Sequence, residues 1–189
     1  MTAALWLMAI QGVIGAFDTI YYHEWRAKLP ARGRAAAPEL VLHACRDFLY
    51  AVLFGTLPWF EWRGRFTAVL CLVFAAEIVL TLWDFVVEIR VRRPFGDVYA
   101  GERVTHAVMG IMYGSMLACM VPTLVAWWSM PPGFAASPAP VAAALRWALM
   151  LMAAGVLVSG LRDLYAACGL PGGGWPWRIN PTGGPRAQL

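Results

Sequence analysis

Five apolar runs, each near twenty residues long, leave this chain few ways to fold. They occupy residues 2–22, 40–60, 66–89, 103–128 and 141–167 of a 189-residue sequence. A helix rises about 1.5 Å per residue, so roughly twenty apolar residues match the hydrocarbon thickness of a bilayer. Charged residues make up 14% of the chain, against about 25% in soluble domains, and mean hydropathy is +0.60. The pattern predicts an all-α integral membrane protein with five transmembrane helices. They form a single domain over residues 1–168, followed by a tail, residues 169–189, too rich in Gly and Pro for helix.

The positive residues cluster between the runs. The first connector carries Arg26, Lys28, Arg32 and Arg34, and the third carries Arg90, Arg92 and Arg93, with Arg103 just beyond. The tail adds Arg178 and Arg186. The opposite side has Arg63, Arg65 and a charge-free, Pro-rich loop at 129–140. The positive-inside rule then places the N-terminus outside and the C-terminus in the cytoplasm. Residues of this kind set topology, so the formal net charge of +4 does not argue for a nucleic-acid partner. The first run has no preceding Lys or Arg, unlike a cleavable signal peptide. Cys45, Cys71, Cys119 and Cys168 lack metal-type spacing and read as small buried hydrophobes.

The polar residues inside the runs carry the functional reading. On this topology Asp18, His23, His43, Asp47, Asp84, Glu88, Glu102 and His106 all fall near the cytoplasmic ends of four helices. All three histidines of the chain are among them. Asp18 and Asp84 each lie about seven residues, roughly 10 Å, inside the basic flank. Several carboxylates at one depth in a bilayer need a positive partner. A divalent cation supplies it, with imidazole and carboxylate as suitable ligands. The pairs His43/Asp47, Asp84/Glu88 and Glu102/His106 are spaced i, i+4 and share a helix face. Asp18 and His23 are five apart, which fits an ideal α-helix poorly. These eight residues are the candidate ligands of two metal ions. Arg46, Glu24 and the mid-span Glu77 are candidates for support or for a polar channel.

Four helices turning carboxylate and imidazole groups inward resemble, at the level of class, the carboxylate-rich di-iron and di-manganese helical bundles. Those bundles use Glu-x-x-His, whereas this chain has Glu-x-x-x-His at Glu102 and His106. The stretches FDTIYYHE at 17–24, DFVVE at 84–88 and ERVTH at 102–106 resemble those of small bacterial integral membrane proteins, which implies the cytoplasmic membrane.

The sharp reading is a metal-dependent membrane enzyme, a dinuclear iron or manganese oxidase, hydroxylase or desaturase, acting on a lipid or other lipophilic small molecule. Zinc would instead suit hydrolysis of a lipid. A proton- or cation-coupled transporter, with Glu77, Asp84 and Glu88 as a polar stripe, is a different class of answer. A non-catalytic subunit or assembly factor of a membrane complex, or a homo-oligomer, is another. The bland reading keeps Glu24, Glu39, Asp97 and Asp163 as ordinary helix-end polar residues. Gly110 and Gly114 read as a close helix contact, and Met109, Met112, Met116 and Met120 as a core stripe. Trp175, Trp177 and Arg178 of the tail have the composition of an interfacial or docking segment.

Overall fold

The computed structural model describes residues 1–177, and these form a bundle of long helices. Helix α1 spans Thr2–Phe17 and runs on as a π-helix over Asp18–Arg26. A short helix α2, Leu29–Arg32, and a 3₁₀ turn, Gly33–Ala36, lead into α3, Ala37–Thr56. Strand β1, Phe60–Arg63, precedes α4, Arg65–Arg92, and a 3₁₀ turn, Arg93–Phe95. Helix α5, Ala100–Trp128, strand β2, Gly133–Ala136, and α6, Ala143–Ala167, complete the order. Every apolar run is therefore helical, and α5 continues unbroken through Pro122. Arg178 and Arg186 of the tail lie outside the described residues.

Four helical stretches are long and apolar enough to cross a membrane: Thr2–Arg26, Arg65–Phe95, Ala100–Trp128 and Ala143–Ala167. The expected second span, α3, is not among them. Glu39, Arg46 and Asp47 interrupt its apolar character. It lies against α6 and α4, and its pairing with α6 is the most extensive in the molecule. Small residues permit that closeness. A side chain at Gly160 would meet the Cβ of Asp47 at 2.9 Å and the carbonyl of Ala44 at 3.2 Å. Gly110 and Gly114, by contrast, are exposed, and a Cβ at either meets nothing within 4 Å. The expected close contact at that pair is corrected: it lies on α3 and α6.

The bundle has two unlike ends. At one, β1 and β2 pair antiparallel, with Phe60 opposite Ala136 and Trp62 opposite Phe134. The ribbon was not foreseen, because two four-residue strands carry too little pattern to read. The turn from β1 into α4 requires Gly64, at φ 55°, where Pro132 would crowd any side chain. From this end to the middle the core is apolar, with Leu5, Met8, Leu53, Phe54, Leu70, Met116, Met120 and Leu149 buried. At the other end the connector after α1 folds back as a plug. Its Ala27, Leu29 and Ala36 are buried against Leu40, Ala166 and Ala167. The polar residues of the chain gather beneath that plug.

The cysteines are unpaired. Cys45 and Cys119 are partly buried, but Cys71 and Cys168 are exposed rather than buried as expected. Of the methionine stripe, Met116 and Met120 are core, while Met109 lines a cavity.

Candidate metal centre

The π-helix decides the geometry of the first ligand pair. In a π-helix each N–H bonds to the carbonyl five residues earlier, so residues five apart stand one above the other. The Ala27 N–H bonds to the Tyr22 carbonyl at 2.8 Å in this way. Asp18 and His23 thereby come onto one face, with His23 Nε2 3.3 Å from Asp18 Oδ2. The i, i+5 spacing that fits an α-helix poorly fits this one. Long π-helices are uncommon, and short ones concentrate at functional sites.

Helix α5 supplies the third group. His106 Nε2 lies 3.2 Å from the same Asp18 oxygen, and one ligand atom from each of Asp18, His23 and His106 falls within 4.8 Å of the others. Glu102, one turn earlier on α5, places Oε1 3.1 Å from His23 Nε2. Its other oxygen accepts the Tyr99 backbone N–H at 3.3 Å and so caps the helix. His106 Nδ1 is 3.7 Å from Glu88 Oε2, and its ring stacks on Phe85. Donor atoms around one ion at about 2.1 Å stand about 3.0–3.4 Å apart. Three contacts fall in that range: His23 to Asp18, His106 to Asp18 and His23 to Glu102. His23 Nε2 faces two carboxylate oxygens yet makes no hydrogen bond with either, and Asp18 Oδ1 and Glu88 Oε2 are likewise buried without a partner. Buried lone pairs left this way are costly unless a cation takes them. The residues present therefore fit a divalent ion.

A second group adjoins the first. The rings of His23 and His43 stack with centroids 4.5 Å apart. His43 Nε2 is 3.4 Å from Asp84 Oδ2 and 3.9 Å from Glu39 Oε1, while Nδ1 is 3.7 Å from Asp163 Oδ2. Much of this carboxylate is already paired. Arg46 Nη1 donates to Asp84 at 2.9 Å. Arg92, with no exposed surface, donates to Glu39 at 2.7 Å and to Glu102 at 2.9 Å. Even so, the seven buried acids Asp18, Glu39, Glu77, Asp84, Glu88, Glu102 and Asp163 face two arginines and three imidazoles among the described residues. The balance remains short of positive charge unless protons or a metal ion make it up.

The sequence candidates therefore divide. Asp18, His23 and His106 converge, with Glu102 against His23 and Glu88 against His106; His43 and Asp84 belong to the adjoining group. Asp47 joins neither and lines the cavity beside them. Glu24 is drawn away: it pairs with Arg162 and accepts from Trp177 Nε1 at 3.1 Å. Trp175 remains exposed. Arg46 reaches Asp84 as a supporting residue should. Glu77 accepts from Tyr50 at 2.8 Å and Thr81 at 2.7 Å, and Tyr50 accepts in turn from Gln11.

Three residues of the network correct the expectation from sequence. Glu39 and Asp163 read as ordinary helix-end residues and Arg92 as part of a topology-setting loop, yet all three are buried. The cause is the folded-back plug, which covers what reads as an exposed flank. The available signal was spacing: Glu39 is four residues before His43, and Arg92 four after Glu88.

A cavity of about 310 Å³ opens beside the cluster. Asp18, His23, His43, Arg46, Asp47 and Asp163 form its polar end, and Phe54, Met109, Met152 and Val156 line the rest. Comparison with protein-family models, with curated proteins and with solved structures gives no match to this chain.

Proposed function

We propose that this chain is a membrane-embedded, metal-dependent enzyme acting on a lipophilic substrate. The observation that carries the reading is one adjacency. Asp18 and His23, two of the three converging ligand residues, also line a cavity whose remaining wall is apolar. A site of that kind holds a reactive centre at the polar end of a slot shaped for hydrocarbon. The four long apolar helices support a bilayer location, and the Arg- and Lys-rich connectors support a cytoplasmic orientation for the cluster and the inner membrane of a bacterium.

Asp18, His23, His106 and Glu102 would hold the first ion, and His43, Asp84 and Asp163 a second. A donor set richer in carboxylate than imidazole, without Cys, favours iron or manganese, which supply activation of dioxygen. Arg46 and Arg92 hold Asp84, Glu39 and Glu102 in place by hydrogen bonds. The plug over the cluster excludes water from it.

Elemental analysis of the protein, purified in mild detergent and reloaded under reducing conditions, tests the reading. About two Fe or Mn per chain is expected. Zinc, or a single ion, moves the assignment to hydrolysis. No retained divalent metal overturns it.

A second reading, proton- or cation-coupled transport, is favoured by the polar thread from Glu77 through Tyr50 to Gln11. The apolar core around Met8, Phe54 and Met116 closes that thread on its far side. Cation-dependent uptake into liposomes would revive it.

A further inference from the structure

The cavity has a chemistry of its own, separate from the metal ligands. Its mouth lies between α1 and α6, where the lining residues Ala16, Ile20 and Gly155 are exposed. Gly12, Gly15 and Gly155 keep the slot open. A Cβ at Gly155 would meet nothing within 4 Å, and one at Gly15 only the Met109 sulfur at 3.7 Å. The volume of about 310 Å³ accommodates roughly ten heavy atoms, enough for a head group and its first methylenes.

At the inner end Asp47 forms no salt bridge among the described residues; its side-chain neighbour is the Ser159 hydroxyl, which also lines the slot, whereas the charged groups around it are paired with one another. Arg46 Nη1 is held by Asp84, and Asp163 lies 3.7 Å from His43 Nδ1. Asp47 is kept in place by the close packing of α3 on Gly160. An ionised carboxylate accepts hydrogen bonds and donates none. Asp18, Asp47 and Asp163 share the polar wall with His23, His43 and Arg46, whose Nη1 is held by Asp84 and whose Nε has no hydrogen-bond partner. A carboxylate head placed at Asp47 would meet a group of like charge that cannot donate to it. A head that donates would satisfy Asp47.

We propose that the slot between α1 and α6 is a binding site for a single-chain amphiphile with a hydrogen-bond-donating head, a long-chain amine or alcohol, seated on Asp47. The head rests on the Asp47 carboxylate, the first methylenes lie between Gly155 and Met109, and the remaining tail leaves through the mouth. This deepens the enzyme reading by naming its substrate class, and it rests on that reading for the lipid side of the mouth.

The test is equilibrium binding of radiolabelled decylamine, decanol and decanoate to the whole protein in nanodiscs, with empty nanodiscs subtracted and metal content measured on the same sample. Saturable binding of decylamine and decanol is expected, with decanoate at least about tenfold weaker, the size of a hydrogen bond to a charged group. Asp47→Asn should weaken decylamine about tenfold and leave decanol within about threefold. Gly155→Leu should abolish binding of all three, and Met152→Trp, which fills the slot from the same helix, should do the same. Decanoate binding as tightly as decylamine, or both filled variants binding like wild type, would overturn the proposal. Metal content separates the two readings. A metal-loaded protein that binds none of the probes loses only the substrate class, and a metal-free protein that binds them loses only the metal.

Discussion

Asp18 and His23 are five residues apart, yet their side chains meet at 3.3 Å because the nine residues from Asp18 to Arg26 wind as a π-helix. An α-helix in the same place would put about 140° between them. Deleting Ile20, which is exposed, removes the extra residue that the π winding accommodates. The expected result is an α-helical segment of unchanged overall helicity by circular dichroism, in which Asp18 and the histidine stand four apart, still share a face and keep the metal content. Loss of metal from this variant would show that the pairing needs the π winding itself and not only a shared face.

Arg92 presents a different dependence. It has no exposed surface and bridges Glu39 and Glu102 across fifty-three and ten residues of chain. Removing one partner of a buried ion pair costs about 3–5 kcal/mol, because the charge left behind is uncompensated. Arg92→Met should therefore lower the melting temperature sharply in detergent, and Glu39→Gln in the same chain should restore part of the loss. If the double variant melts no higher than Arg92→Met, the pairing with Glu39 is not what stabilises the end.

These two residues also mark where the sequence stops being readable. The helices follow from apolar runs of bilayer length, and the layer of polar residues follows from their distance to the basic flanks. Which polar residues are enclosed does not follow, because burial at this end is set by a long-range fold-back. Leu29 and Ala36 sit in a connector rich in Arg and Pro, and nothing local says that they pack on Ala166 and Ala167. With the plug in place Glu39, Arg92 and Asp163 become interior. The π-helix left a trace in the sequence, an Asp–His spacing that fails on an α-helix, but a misfit in spacing does not by itself name the winding that relieves it.

His106 and His43 should differ in what they do to metal content. His106 shares the Asp18 oxygen with His23, whereas His43 is flanked by Asp84 and Asp163. His106→Ala is expected to lose the first ion, and His43→Ala only the second. The check is metal stoichiometry measured for each variant alone and for the pair. Equal and complete loss from either single variant would indicate one shared centre instead of two.

The close approach of α3 and α6 should govern stability more than the outward-facing glycines of α5. A Cβ at Gly160 would stand 2.9 Å from the Asp47 Cβ and 3.2 Å from the Ala44 carbonyl, and neither can yield without moving backbone. Overpacking of this kind costs about 1–3 kcal/mol, and Gly160→Val should lower the melting temperature accordingly. It should also displace Asp47 and weaken decylamine binding in the same sample. Gly110→Val meets open space and should leave the thermal stability of the single chain within about 0.5 kcal/mol of wild type. A reversal, with Gly110→Val the more damaging, would show that the exposed face of α5 is covered in the membrane and that the small-residue pair packs against another chain.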